Sequence, residues 1–372
     1  MRGRSIAYID GETPFAILPE MLLPDRIYLD HAATTPMHPA ARAAMIEALD
    51  RAGNPSSPHR EGRAARAALE EARRRVAAAL GWDGAVIFTS GASEALALAI
   101  DRSVIPGRAA SAVEHDAVRR AAPGATIVPV SHRGRIEHHA LPEEALIVAQ
   151  LVNNETGVIQ DEREIGEAAR NRASLWLADC AQSAGKIPLP AAHMIAVSAH
   201  KLGGPPGVGA LLLRDLAMLR PVGGQEMGYR QGTENLPAIL GFAAALESDR
   251  GWLEGAPALR DRLEQGIRAA GGRIVCASQP RIATIGAYRM PGVPAASQVI
   301  QLDMAGIAVS AGSACSSGSV KPSHVLTAMD WPEGEAREVI RVSFGRDTGE
   351  EEVDRFLAAW TRLAEDARRR AA

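Results

Sequence analysis

Short, predominantly apolar runs recur through the first two thirds of the chain, each closed by a turn of small or polar residues. Residues 27–30, 86–89, 126–130, 146–152, 174–178, 194–197 and 208–213 read as buried strands. Apolar positions three and four apart mark helices at 39–49, 61–80, 92–100, from Glu114 onward, at 163–171 and at 236–248. Strand and helix in alternation imply an α/β protein with a mostly parallel sheet covered on both faces. In such sheets ligands bind beyond the carboxyl ends of the strands.

The pattern changes after residue 248. Gly255-Ala256-Pro257 marks a break, followed by a helix to about residue 270 and short strands near Ile274 and Ile282. A helix at 297–304, strands at 307–310 and 339–344, and an amphipathic helix at 350–370 complete an α+β region. These shifts divide the chain into a large domain over 26–248 and a smaller one over 249–372, to which the weakly periodic residues 1–25 are added.

Composition narrows the classes. Of 372 residues, 47% are hydrophobic and 23% charged, as in a globular protein. A net charge of −3 gives no general basic field, so nucleic acid is not expected as the principal ligand. The arginine triplets at 73–75 and 368–370 fall in helical stretches and read as solvated faces. No apolar run approaches the ~18 residues that span a bilayer, so no membrane partner is expected. Residues 1–10 lack the apolar core of a signal peptide. Cys180, Cys276 and Cys315 are odd in number and far apart, which fits a reducing, cytoplasmic compartment rather than a disulfide framework. They are too few for a cysteine-rich metal cluster, and no metal site is expected.

Candidate chemistry gathers at strand ends. Only three of the 41 basic side chains are lysine: Lys186, Lys201 and Lys321. Lys201 closes Ser198-Ala199-His200-Lys201, between a strand and the loop Leu202-Gly203-Gly204-Pro205-Pro206-Gly207. Unlike arginine, lysine can lose its proton and act as an amine nucleophile. Asp179 ends another strand. A lysine that holds an aldehyde as a Schiff base and an aspartate that keeps a heterocyclic nitrogen protonated are the two protein groups pyridoxal phosphate needs. Ser90-Gly91-Ala92-Ser93-Glu94 opens a helix where free N–H groups and the helix dipole favour an anion. Ordinary capping by Ser93 and Glu94 fits the same residues. His115 is placed either to stack on a ring or simply to begin a helix. Cys315 lies among Gly, Ser and Ala, which suits a thiol that must reach a substrate. Cys276 reads as core, and Cys180 as packing beside Asp179.

These motifs stand in the order of a known family. The chain resembles the NifS/IscS-like cysteine desulfurases, within the class V pyridoxal-phosphate aminotransferases. The resemblance covers about residues 28–346. It is carried by Tyr28-Leu29-Asp30-His31-Ala32-Ala33-Thr34-Thr35-Pro36, Gly53-Asn54-Pro55-Ser56-Ser57, Phe88-Thr89-Ser90-Gly91-Ala92-Ser93-Glu94 and Val152-Asn153-Asn154-Glu155-Thr156-Gly157. It continues through Asp179-Cys180-Ala181-Gln182-Ser183, Ser198-Ala199-His200-Lys201, Gly223-Gly224-Gln225-Glu226, Arg230-Gln231-Gly232-Thr233-Glu234-Asn235, the Cys315 loop and Ile340-Arg341-Val342-Ser343-Phe344-Gly345-Arg346.

The resemblance implies a fold type I pyridoxal-phosphate transferase: a seven-stranded-type, mostly parallel sheet in the large domain and a smaller α+β domain with the cysteine loop. It implies Lys201 as the Schiff-base lysine, Asp179 on the pyridinium nitrogen, and Gln182 and Asn154 at the ring oxygen. His115 stacks on the ring and moves protons, while Ala92, Ser93, Ser198 and His200 bind the phosphate. Thr233 reaches the phosphate of a second subunit in a homodimer. Arg341, with Asn154 beside it, holds the substrate carboxylate. Cys315 takes the sulfur of L-cysteine as a persulfide, leaves L-alanine, and passes the sulfur to an acceptor protein such as an iron–sulfur scaffold or another sulfur carrier. A selenocysteine lyase, or another class V lyase or aminotransferase, shares most of this machinery.

Overall fold

The structure is a computed structural model that describes residues 26–51, 53–312 and 323–371. Cys315 and the extension over 1–25 lie outside the described residues. In chain order the strands are β1 (Ile27–Tyr28), β2 (Ala85–Thr89), β3 (Gly107–Ser111), β4 (Thr126–Val128), β5 (Ala145–Val148), β6 (Leu175–Asp179), β7 (Met194–Ser198) and β8 (Gly209–Leu213). They continue with β9 (Arg273–Ile274), β10 (Ile285–Arg289), β11 (Ile307–Ala308) and β12 (Val339–Ser343). A seven-stranded sheet has the order β2-β8-β7-β6-β5-β3-β4. Only β8 runs against its neighbours, antiparallel to both β2 and β7. A second sheet, β12-β10-β9, is antiparallel, and β1 pairs in parallel with β11.

Alternate side chains of the large sheet serve two cores, as the two-residue period of a strand requires. Leu146, Val148, Met194, Ala196 and Leu211 face Leu96 and Ile100 of the helix Ala92–Arg102. Ile147, Ile195, Val197 and Leu212 belong to the opposite core, with Leu69 and Val76 of the helix Arg60–Leu80 and Phe242 of the helix Leu236–Glu247. A third core holds Leu263, Tyr288, Leu302, Ile340, Phe356 and Trp360, and Ile27 and Leu29 pack into it. No helix among the described residues is long and apolar enough to cross a membrane.

Three expectations from the pattern need correction. β3 has no counterpart in the apolar pattern: Gly-Arg-Ala-Ala-Ser has no β-branched residue, and the strand exists because it is paired on both sides, by β5 and β4. The strand expected near Ile282 begins at Ile285, where pairing with β12 starts. The break expected at Gly255-Ala256-Pro257 is helix: Trp252–Ala269 runs through Pro257. Proline there removes one donor, but Ala256, Leu263 and Ile267 are buried along one stripe, and that stripe sets the element.

Candidate active site

The strand ends of the large sheet open into a cavity of about 470 Å³. Ala92, Ser93, His115, Asn154, Asp179, Gln182, Ser198, His200, Lys201 and Arg341 all line it. Thr233 does not; it is exposed on a separate loop. Of the ends of the Cys315 segment, Gly312 and His324 both line the cavity.

Lys201 is delivered by a single tight turn, Ala199–Lys201, directly after β7. Gly204 permits that turn, since a Cβ there would lie 2.8 Å from the Ala199 Cβ. The Lys201 Nζ donates to the carbonyl oxygens of Ala32 (2.5 Å) and Ala33 (2.8 Å). Burial, helped by the Arg341 charge, lowers its pKa to about 8 against the pull of Asp179 and Asp30. Asp179 is the last residue of β6, and its Oδ1 accepts from the Ala181 N–H at 2.9 Å. Burial pushes this carboxyl upward, while that bond and the nearby His115 and Lys201 oppose the shift. Gln182 donates through Nε2 to the Ala32 carbonyl at 2.9 Å, and its buried Oε1 has no partner among the described residues.

At the other end of the cavity, the helix Ala92–Arg102 starts from Gly91 with no side-chain cap. The Glu94 carboxylate instead accepts from the Ser90 N–H, one turn back. The helix terminus is thus open to an anion. Gly91 has φ of 153°, in the left-handed half of the map. Gly209 on β8 lets the strand approach it: a Cβ on Gly209 would sit 2.7 Å from the Gly91 Cα. The His200 Nδ1 meets the Thr34 hydroxyl at 3.1 Å. Burial and Lys201 lower its pKa to about 4, so the ring serves as a neutral hydrogen-bonding group rather than a charge.

His115 caps the helix Asp116–Ala121, its Nδ1 accepting from the Ala117 N–H at 3.1 Å. Acceptance at Nδ1 assigns the proton of the neutral ring to Nε2. Burial lowers its pKa, opposed by Asp179. Arg341, in the middle of β12, is 4% exposed; it pairs with Asp30 at 2.7 Å and donates to the Asn154 carbonyl at 3.0 Å. Its Nε has no partner among the described residues.

Motif reading left several groups without a role. The carbonyls of Ala32 and Ala33, the Asp30 partner of Arg341, and Glu155 at the cavity edge are such groups. Glu155 is 4% exposed and accepts the Ser323 hydroxyl, and its burial pushes the carboxyl upward. Backbone carbonyls carry no sequence signal. An unusual acid within Asn153-Asn154-Glu155-Thr156-Gly157 was the only pointer to Glu155.

An amine, a buried carboxyl, an unpartnered amide oxygen and an uncapped helix terminus around one cavity fit pyridoxal phosphate. The chain belongs to the family described as aminotransferase class V, whose model matches residues 27–356. Its relatives place it among the NifS/IscS-like cysteine desulfurases, a pyridoxal-phosphate-dependent enzyme family. The cysteine desulfurase of Cereibacter sphaeroides is 38% identical over 90% of this chain and 94% of that protein. Cysteine desulfurase NifS of Azotobacter vinelandii is 35% identical over 89% and 90%. A NifS-like protein from Rickettsia africae has a solved structure that superposes with a TM-score of 0.83 at 29% identity, covering 91% of this chain and 99% of that one.

Proposed function

We propose that the protein converts L-cysteine to L-alanine and moves the sulfur onto Cys315 as a persulfide, for delivery to a sulfur-acceptor protein in iron–sulfur cluster or thio-cofactor synthesis. The carrying observation is that Gly312 borders the same cavity as Lys201 and Asp179. Cys315 follows it by three residues, a span of at most about 11 Å. The C–S bond of cysteine breaks and an S–S bond forms with the Cys315 sulfur. Thiol and cysteine give persulfide and alanine with no external oxidant or reductant.

Pyridoxal phosphate, when bound, supplies an aldehyde and a ring that stabilises negative charge at the substrate α-carbon. Lys201 would hold the aldehyde; with a pKa of about 8, part of its amine is neutral near pH 7 and free to attack. Asp179 would pair with the ring nitrogen, and Gln182 and Asn154 would meet the ring oxygen. Ala92, Ser93, Ser198 and His200 would bind the phosphate, joined by Thr233 from a second copy in a homodimer. His115 would stack on the ring and move protons through its Nε2. Arg341, whose Nε has no partner among the described residues, would hold the substrate carboxylate. A division into 26–248 and 249–372 with 1–25 has support from the core around Leu263, Ile340 and Trp360, although Ile27 and Leu29 pack into that core and Val275, Ile282, Ile285 and Val339 pack into the large one. Cys180 and Cys276 are free thiols, in keeping with a reducing cytoplasm.

The test measures sulfide and alanine released from L-cysteine with a thiol reductant. The wild type releases both in equal amounts. Cys315→Ala keeps its cofactor absorbance and loses sulfide release. A wild type that binds the cofactor but makes alanine only from selenocysteine would replace the substrate.

A further inference from the structure

We infer that the protein has a second binding site, for a small monovalent anion of about the size of chloride, in a smaller cavity bounded by Lys186, Arg250 and Arg346. This cavity measures about 40 Å³ and is lined also by Asp249, Trp252 and Phe344. Lys201 borders both cavities, whereas Lys186, Arg250 and Arg346 line only the smaller one. Neither Lys186, one of the three lysines in the chain, nor Arg346 has a part in the chemistry proposed for the larger cavity. The site is independent of that chemistry.

Three chain segments bring the cations together. Lys186 lies in the turn that follows β6, where its N–H donates to the Ser183 carbonyl at 2.9 Å. Arg250 follows the helix Leu236–Glu247, and Arg346 follows β12. No carboxylate neutralises them within the cavity. The Lys186 amine makes no hydrogen bond or ion pair with the described residues. Arg250 donates to the Leu246 carbonyl. Arg346 donates to the Pro36 carbonyl at 3.2 Å and meets Asp347 at 3.3 Å, an exposed residue outside the lining. Asp249, the one carboxylate on the lining, accepts the Gly251 N–H at 3.0 Å instead.

With Lys201 set aside for the cofactor, the lining carries three lysine or arginine side chains against that one carboxylate. The excess is felt by the groups around it. Burial, then the Lys201 charge, lowers the Lys186 pKa to about 8 with nothing opposing them, and most of this amine is still charged at pH 7. Burial alone pulls the Arg250 guanidinium down. The buried His31 is lowered to about 4 by burial and next by Lys186, with Arg346 adding to the effect. Cations confined without a counter-charge favour an anion, and the bonds they give it are charge-assisted. Size selects the class. A cavity of about 40 Å³ is little larger than the roughly 30 Å³ share of one water in the liquid, so it admits one halide ion and excludes a tetrahedral oxyanion such as phosphate.

The experiment titrates the holoenzyme with sodium bromide at constant ionic strength, balanced by sodium gluconate, whose anion is too large for the cavity. Bromide quenches tryptophan fluorescence, and Trp252 on the lining reports occupancy. The wild type is expected to show a saturable component, half-complete on the order of 10 mM, above the linear collisional quenching of exposed tryptophan. Chloride displaces bromide from it and phosphate does not. Lys186→Met keeps the apolar stem without the charge and should raise the half-saturation at least about ten-fold; Arg346→Gln should raise it at least about three-fold. Trp252→Phe should remove the saturable signal. Purely linear quenching in the wild type, saturation unchanged by Lys186→Met, a saturable signal that survives Trp252→Phe, or displacement by phosphate as effective as by chloride overturns the inference. If Lys186→Met fails to fold or to take up pyridoxal phosphate, Arg346→Gln decides by its three-fold threshold. The readout involves neither alanine nor sulfide, so failure of the desulfurase reading leaves this test intact.

Discussion

On one wall of the cavity, Asp179, Gln182, Ser198 and Lys201 each lie within three residues of the end of β6 or β7. On the other, Arg341 comes from the middle of β12 and meets Asp30, 311 positions earlier in the chain. The first wall is aimed by local backbone: a strand ends, a turn follows, and the side chain has one direction to go. The second is assembled from chain segments with no local relation. In the proposed function, Asp179, Gln182, Ser198 and Lys201 would hold the cofactor from the first wall, and Arg341 would meet a substrate carboxylate from the second. On that proposal, binding of the two molecules falls to separable parts of the protein.

The sharpest way to break that separation is on the sheet wall. Lys201→Ala should lose the covalent cofactor absorbance and lower alanine formation by about 10³-fold or more, read by spectrum and product assay. Arg341→Ala should leave the cofactor spectrum intact and raise KM for cysteine about 10²-fold, the scale of a charge-assisted pair. Loss of cofactor in this variant would show that the walls are not independent. A pH series sharpens the contrast. The neutral amine captures the aldehyde, so capture by cofactor-free protein should rise about ten-fold from pH 7 and level off above the Lys201 value of about 8. Levelling only near the ordinary 10.5 would mean that burial does not lower this amine. The smallest effect is expected where the sheet supports the anion end. Gly209→Ala places a Cβ 2.4 Å from the Val197 carbonyl and should destabilise the fold by about 1–3 kcal/mol in urea titration, with weaker cofactor binding.

The same contrast explains what was legible in the sequence. Strands of the large sheet announce themselves as apolar runs, and the polar residues at their ends are legible in the sequence. Lys201 and Asp179 are of this kind. β3 escaped because Gly107 to Ser111 is a strand by virtue of its neighbours. Pro257 misled because proline is punctuation only when burial does not overrule it. The Asp30 partner of Arg341 had no signal: a salt bridge across the chain has no spacing to read. Glu155 sat inside a marked motif, but its contact with Ser323 is 168 positions long and visible only in the fold.

The run from Ile27 to Thr35 has a consequence in time. It pairs with β11, bonds the Ser343 hydroxyl through the Ala32 N–H at 2.8 Å, and supplies the carbonyls that receive Lys201. Contacts separated by so much chain form late, after more local structure has closed. A ribosome releases Asp30 long before it makes Arg341. The early segment must wait, unsatisfied, for nearly the whole protein to be synthesised. The Asp30–Arg341 pair is therefore among the last contacts the nascent chain can make, and truncation just before β12 would leave most of the sheet wall in place with nothing opposite it.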